Sequence, residues 1–364
     1  MPVPLRLPHP IGIAMWDFSW LERRWPGAGY EDWDIAVGEL ADRGYDAVRI
    51  DAYPHLISAR LDGAWTLLPE WTTNDWGAPG RCAVAPWPAL SEFLGVCRRQ
   101  GVRVALSSWF RQDTTERRLE LTSPELLGRA WLHTLRRVAD AGHLDILLYV
   151  DLCNEWPLEP WARFYPGPRE WNGAESHDWM RRSIEVVRSE FPTLPLCFSN
   201  TTDASSSHVG WSSGEADLLE PHVWMATASD YYARLGYHYE RFDLSGYGRV
   251  AANARALFES DSFGWINALD CSIDASAEWG RRQRRPLVTT ECWALVDYKD
   301  WPMLEWDWIK EICAHGLSRA AATGAWAALA TSNFCGPQFR GMWRDTAWHR
   351  RLNQLVRRGR LPVY

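Results

Sequence analysis

Polar side chains stand out where apolar stretches of the chain end. In order they are Asp17, Arg49 with Asp51, Ser107 with Ser108, Asn154 with Glu155, Asn200, His222, Glu291, and Ser332 with Asn333. Two are carboxylates closing hydrophobic runs: Glu155 follows Leu147-Leu148-Tyr149-Val150-Asp151-Leu152-Cys153-Asn154, and Glu291 follows Leu287-Val288-Thr289-Thr290. A carboxyl group at such a boundary has its protonation set by burial and by its neighbours. Two of them on opposite sides of one bond are what glycoside hydrolysis needs, one as acid/base and one as nucleophile. Bland roles are open to each residue. Either Glu can be a structural ion-pair partner, and Arg49 can pair with Asp151 inside a barrel. His222 can be a satisfied core histidine, and Asp17 and Asp51 can cap loops as readily as bind sugar hydroxyls.

Other chemistries find less support. Gly210-Trp211-Ser212-Ser213-Gly214 fits the nucleophile-elbow pattern of α/β-hydrolases, but Thr201–His208 before it is polar and Ser-rich, so no strand leads into it. The ten histidines include no H-x-H or H-x-x-x-H pair, and the eight cysteines are scattered singly. No metal and no cofactor is expected.

The elements that must hold these residues are eight short apolar or β-branched runs: Ile11–Ser19, Ala47–Tyr53, Val102–Phe110, Ile146–Glu155, Leu194–Asn200, Leu218–Trp224, Pro286–Cys292 and Ala325–Asn333. Helical periodicity lies between them, over Tyr30–Arg43, Trp87–Gln100, Pro124–Ala141, His177–Phe191, Arg249–Asp261, Trp306–Thr323 and Thr346–Arg358. Ser123-Pro124 opens the third helix, and Gly44, Gly101, Gly142 and Gly324 follow the ends of four of the seven. The fifth connection, Thr201–Asp217, is poorly helical. Alternating units of this kind predict a parallel sheet, and eight of them predict a (β/α)8 TIM barrel as one domain over residues 1–364. No G-x-G-x-x-G follows the first run, which argues against a dinucleotide fold. A barrel takes about 250 residues. The surplus falls into long loops after the strands, on the face where barrel enzymes keep their sites. There the fourth and seventh strands lie across the mouth from each other.

With the elements in place, the chain resembles the clan A glycoside hydrolases, and more loosely glycoside hydrolase family 5 and the cellulase-like barrel proteins. The resemblance rests on Gly44-Tyr45-Asp46-Ala47-Val48-Arg49-Ile50, Asn154-Glu155-Trp156, His222-Val223-Trp224 and Thr290-Glu291-Cys292, in that order and spacing. It implies that Glu155 is the acid/base, Glu291 the nucleophile, Asn154 a donor to the sugar 2-hydroxyl, and Arg49 the partner that keeps Glu291 ionised. It also implies a retaining mechanism on an equatorial linkage. Two departures stand against the pattern. Trp224 occupies the place of a tyrosine that bonds the nucleophile, for which Tyr231, Tyr232, Tyr237 or Tyr239 could substitute. The eighth run ends Ser332-Asn333-Phe334 where a tryptophan platform belongs, leaving Trp293 or Trp343 to supply it.

Composition agrees with a sugar ligand. The 364 residues include 25 Trp against 12 Tyr and 11 Phe, many of the Trp in the loops after strands. Pyranose C–H faces stack on indole, although loop tryptophans also serve as packing anchors. Trp109, Trp224 and Trp293 are therefore expected to bind substrate together with Asp17, Arg49, Asp51, Asn154, His222 and Asn333. The net charge of −7 and the lack of a basic run argue against nucleic-acid and membrane partners. An N-terminus of four prolines without an apolar core segment leads to the expectation of a cytoplasmic protein. The favoured substrate is a short oligosaccharide or glycoside cut from one end; transglycosylation and a catalytically silent carbohydrate-binding barrel are the alternatives.

Overall fold

The computed structural model describes residues 2–70, 76–201, 206–238, 245–296, 298, 304–332 and 335–363. Twelve strands appear among them: β1 (Ile11–Asp17), β2 (Ala47–Asp51), β3 (Trp65–Leu67), β4 (Cys82–Val84), β5 (Arg103–Ser107), β6 (Leu147–Asp151), β7 (Leu196–Cys197), β8 (Ser199–Thr201), β9 (Glu220–Trp224), β10 (Leu287–Thr289), β11 (Cys292–Trp293) and β12 (Trp326–Leu329). All but the β3–β4 hairpin are parallel, in a seven-stranded sheet ordered β10-β12-β1-β2-β5-β6-β7 and a three-stranded sheet β11-β9-β8. The fifth barrel strand is broken at Phe198 and the seventh at Thr290-Glu291, so β7 and β10 sit in one sheet while their continuations β8 and β11 sit in the other. A bridge between Leu219 and Leu287 joins the two sheets. With helices packed outside, this is the (β/α)8 barrel.

Alternation along the strands builds the interior in layers, because successive side chains point to opposite faces. Ile11, Ile13, Ala47, Ala105, Tyr149, Cys197, Leu218, Val288 and Ala328 form a small apolar cluster at the base, on which Leu5 and Leu7 pack. Two residues further along six of these strands come Arg49, Ser107, Asp151, Ser199, Glu220 and Thr290, all buried, in one polar layer. The larger apolar cluster lies between strands and helices. Several of the helices end on left-handed glycines, including Gly101 and Gly324.

Apart from the β3–β4 hairpin, which lies outside every predicted run, the observed strands fall inside or within a residue of those runs. Among its described residues the fifth connection has no α-helix, only a 3-10 turn over Ser206–Gly210. The predicted helix Arg249–Asp261 is Ser245–Ser260, and a 22-residue helix, Ser262–Gln283, follows it unpredicted. No described helix is long and apolar enough to cross a membrane.

Candidate active site at the barrel mouth

Where the strands end, the same local device recurs. The side chain of Asp17 accepts the N–H of Ser19, Asp51 that of Tyr53 at 2.7 Å, Ser108 that of Phe110 at 3.1 Å and Asp151 that of Cys153 at 3.3 Å. Such turns reverse the chain within two residues. They accompany left-handed backbone at Asp17 (φ 42°), Tyr53 (φ 49°), Phe110 (φ 43°) and Glu155 (φ 45°). Non-glycine residues in that region cost about 1–3 kcal/mol each and cluster where function over-determines the backbone. Asp51 is fully used in this way, its second oxygen accepting the N–H of Trp109 at 3.0 Å. The expectation that Asp51 binds sugar is therefore corrected: it organises two loops, and burial raises its carboxyl to about 7.

Arg49 is the hub beneath the mouth. Its guanidinium pairs with Asp151, lies 3.4 Å from Glu220 and 3.4 Å from Glu291, and donates to Thr290 at 3.0 Å and Asn154 at 2.8 Å. Both partners foreseen for Arg49, Asp151 and Glu291, are present. Glu220 was not foreseen, although a carboxylate two residues before His222 on the same strand face was a readable signal. Arg49 is completely buried and stands over the face of Trp109, 4.7 Å from the ring centroid, so it acts from below and not as a lining residue.

Above the hub, Glu155, His222 and Glu291 meet. His222 Nδ1 lies 2.9 Å from Glu155 Oε1 and 3.5 Å from Glu291 Oε2, and the three facing atoms fall within 4.8 Å of one another. Trp161 Nε1 donates to Glu155 Oε2 at 3.0 Å, and the Glu155 N–H is held by Ser199 Oγ at 2.9 Å. Burial and the neighbouring Glu155 carboxylate raise Glu291 to about 7 against the pull of His222 and Arg49. Glu155 is held below the ordinary carboxylate range, because the bonds from His222 and Trp161 outweigh its burial. His222 is raised despite its burial by the two carboxylates. Among the described residues this trio is the one group whose ligand atoms lie close enough for a metal ion. With Arg49 alongside and an imidazole that favours its protonated form, the donor set suits protons better than a divalent cation.

A cavity of about 310 Å³ opens over the trio, lined by Met15, Asp17, Phe18, Trp76, Trp109, Glu155, Leu158, Pro160, Trp161, Thr201, Trp224, Thr227, Glu291 and Val296. Burial, with Glu22 and Glu291 nearby, raises Asp17 to about 8, so it faces the cavity neutral at pH 7. Phe18 stands edge-on to Trp109 and tilted against Trp161, and is backed by the Arg111 guanidinium, 4.3 Å from its centroid. Arg111 in turn forks onto Glu22 at 2.7 and 3.0 Å. The loop bearing Trp76 is latched to the same pair through Ala78 N–H to Glu22 at 3.1 Å. It requires glycine at 77, where φ is +64° and a Cβ would meet Glu22 at 2.5 Å and Phe18 at 2.6 Å.

Of the predicted binding residues, Asp17, Trp109 and Trp224 line the cavity. Asn154 is buried beside Arg49, and its Nδ2 has no partner among the described residues. Asn333 lies outside the described residues. Trp293 and Trp343 are not platforms. Trp293 fills a slot left by Gly316 and donates to the Ala330 carbonyl at 2.9 Å, and Trp343 stacks under Arg43 and donates to Glu39 at 2.6 Å. Tyr231 bonds the Ala254 carbonyl, Tyr232 and Tyr237 pack on each other, and Tyr239 lies outside the described residues; no tyrosine is among the described lining residues. Among the described residues the tryptophan surplus is mostly core: Trp16, Trp20, Trp131, Trp156, Trp279 and Trp326 are fully buried, and four tryptophans, Trp76, Trp109, Trp161 and Trp224, reach the cavity.

Residues 13–357 match the family model of sugar-binding cellulase-like proteins. Among solved structures the chain is similar to a candidate glycoside hydrolase from Parabacteroides distasonis ATCC 8503, with a TM-score of 0.94 and 46% identity over 97% of this chain and 95% of that one. It also resembles a family 5, subfamily 18 glycoside hydrolase from Bifidobacterium longum subsp. infantis (TM-score 0.51, 12% identity, 97% and 80% covered). A cellulase solved with an inhibitor is comparable (TM-score 0.51, 10% identity, 96% and 93% covered). These last two share the fold alone. No protein of curated function matches the sequence.

Proposed function

The chain belongs to the sugar-binding cellulase-like family, and from that membership we propose that it is a retaining glycosidase acting on short, β-linked oligosaccharides or glycosides from one end. The observation that carries the proposal is the approach of Glu155 and Glu291, with facing oxygens within 4.8 Å at the cavity floor. Retention by a covalent intermediate wants carboxyl groups about 5–5.5 Å apart, whereas inversion wants about 6.5–9.5 Å to seat a water. The small walled cavity supports removal of a terminal unit.

In this reading Glu291 attacks the anomeric carbon as the glycosidic C–O bond breaks, and Glu155 passes its proton to the departing oxygen. Glu155 then takes a proton from water, whose oxygen displaces Glu291 and restores the starting state. The resting arrangement places the shared proton on the Glu291 side. The reactive form holds the same number of protons, with one moved to Glu155, and His222 within reach of both carboxylates offers the route. Arg49 stabilises Glu291 once it is ionised. Neutral Asp17 donates a hydrogen bond to a sugar hydroxyl, and Asn154 Nδ2 to another.

A panel of aryl glycosides tests this. Glu291→Ala should abolish turnover. Glu155→Ala should lose about 10²–10⁴-fold on poor leaving groups and far less on dinitrophenyl glycosides, and the first-formed sugar should keep its anomeric configuration. An inverted product, or equal losses for both variants on activated substrates, would sink the two-glutamate reading. Sugar binding without any turnover would leave a silent barrel.

A further inference from the structure

Which side of the cavity receives the leaving group follows from the acid. If Glu155 protonates the glycosidic oxygen, everything beyond that oxygen lies against the residues around Glu155. The chain immediately after it coils tightly, with Leu158 N–H bonded to the Glu155 carbonyl at 2.8 Å and Trp161 N–H to the Leu158 carbonyl at 3.2 Å. Steps of three residues on such a coil bring side chains to one side. The bond from Trp161 Nε1 to Glu155 Oε2 places the indole there directly. Leu158, Pro160 and Trp161 all line the cavity, and Leu158 and Pro160 are only half-buried, so they form its rim. The opening is also on this side: the Glu155 side chain is 16% exposed, that of Glu291 7%.

The chemistry of that rim is almost all carbon. Leu158 and the Pro160 ring carry no polar side-chain atom, and the Trp161 N–H is committed to Glu155. Among the described lining residues, side-chain hydroxyls come only from Thr201 and Thr227, and Thr227 already donates to the Trp224 carbonyl at 3.4 Å. A second sugar ring here would surrender the hydration of several hydroxyls for few partners, which is unfavourable. An alkyl or aryl group would surrender nothing and cover exposed carbon.

We propose that Leu158, Pro160 and the Trp161 ring form a leaving-group site for an apolar aglycone, so that the preferred substrates are alkyl or aryl glycosides rather than oligosaccharides. This rests on the glycosidase reading with Glu155 as acid. The test uses methyl, propyl and hexyl glycosides of the sugar selected by the aryl panel, and a disaccharide of that sugar. The three alkyl alcohols have nearly equal acidity, so the series varies contact and not leaving-group chemistry. In the native enzyme kcat/KM should climb by up to about fourfold per added methylene until the chain clears the rim, the factor that burial of one CH2 corresponds to. The hexyl glycoside should surpass the disaccharide. In Leu158→Asn the hexyl-to-methyl ratio should fall at least tenfold; a ratio taken within one preparation is insensitive to partial misfolding. A flat series, a disaccharide preferred over the hexyl glycoside, or an unchanged ratio in Leu158→Asn overturns the aglycone site while leaving the glycosidase standing. Failure of every aryl and alkyl glycoside to turn over removes the glycosidase reading and this one with it.

Discussion

Arg49 is one cation serving three buried carboxyl groups, Asp151, Glu220 and Glu291. Burying so many acids around a single guanidinium leaves negative charge uncompensated, and the excess is relieved by protons: Glu220 and Glu291 are both raised by burial. The consequence for rate can be signed. In the proposed two-glutamate mechanism, with Glu155 as acid and Glu291 as nucleophile, the productive pair holds one proton. As pH falls below the ordinary carboxylate range, Glu155, held low by His222 and Trp161, gains a second proton, and the nucleophile is lost. As pH rises through about 7 the single proton leaves and the acid is lost. We therefore expect a bell-shaped kcat/KM profile with its alkaline limb near pH 7 on poor leaving groups. In Glu155→Gln assayed on dinitrophenyl glycosides that limb should vanish, since no acid is needed. A native profile flat to pH 9 would contradict the shared proton.

At the scale of elements, alternation and caps were readable because they are local. Eight runs of the right composition became eight barrel strands, and because strand period is two, Arg49, Ser107, Asp151, Ser199, Glu220 and Thr290 fell into one interior layer. What the chain did not reveal depends on neighbours distant in sequence. Trp293 stands two residues past Glu291 and on pattern alone belongs in the cavity. Its destination was set by Gly316, on the helix Asp307–Thr323, whose missing side chain opens the slot that the indole occupies. The hairpin that presents Trp76 and the turn that presents Trp161 were likewise invisible, since each is fixed by a buried partner, Glu22 in one case and Glu155 in the other. Gly316→Ala separates the two kinds of information. Helix propensity alone would stabilise by about 1 kcal/mol. A Cβ 2.9 Å from the Trp293 ring should instead destabilise by about 1–3 kcal/mol, measurable by urea titration, and should lower kcat by displacing the strand that carries Glu291.

Across the whole molecule the two ends of the barrel have separate duties. The N-terminal segment closes the base: Leu5 and Leu7 pack on the interior cluster, Val3 N–H bonds Asp217 at 2.7 Å, and the Arg6 carbonyl accepts from Arg103 at 3.2 Å. Deleting residues 2–8 should cost about 1–3 kcal/mol of stability while leaving kcat/KM within twofold, because nothing in that segment reaches the mouth. A changed KM would show that the ends communicate. The division into two sheets has its own consequence. Ser199 of β8 holds the backbone of Glu155 and Trp156, His222 lies in β9, and the Glu291 carbonyl accepts from Val223 of β9 just before β11 begins. Glu155 itself follows β6 of the large sheet, where the Asn154 N–H bonds the Ser108 carbonyl at 2.9 Å, so the distances between the proposed reacting groups are carried across both sheets. The charge that governs their protons reaches them across the joint, from Arg49 on the large one. Reach and timing draw on different contacts, so a shift of one sheet against the other would alter the balance of the proton as well as the gap it crosses.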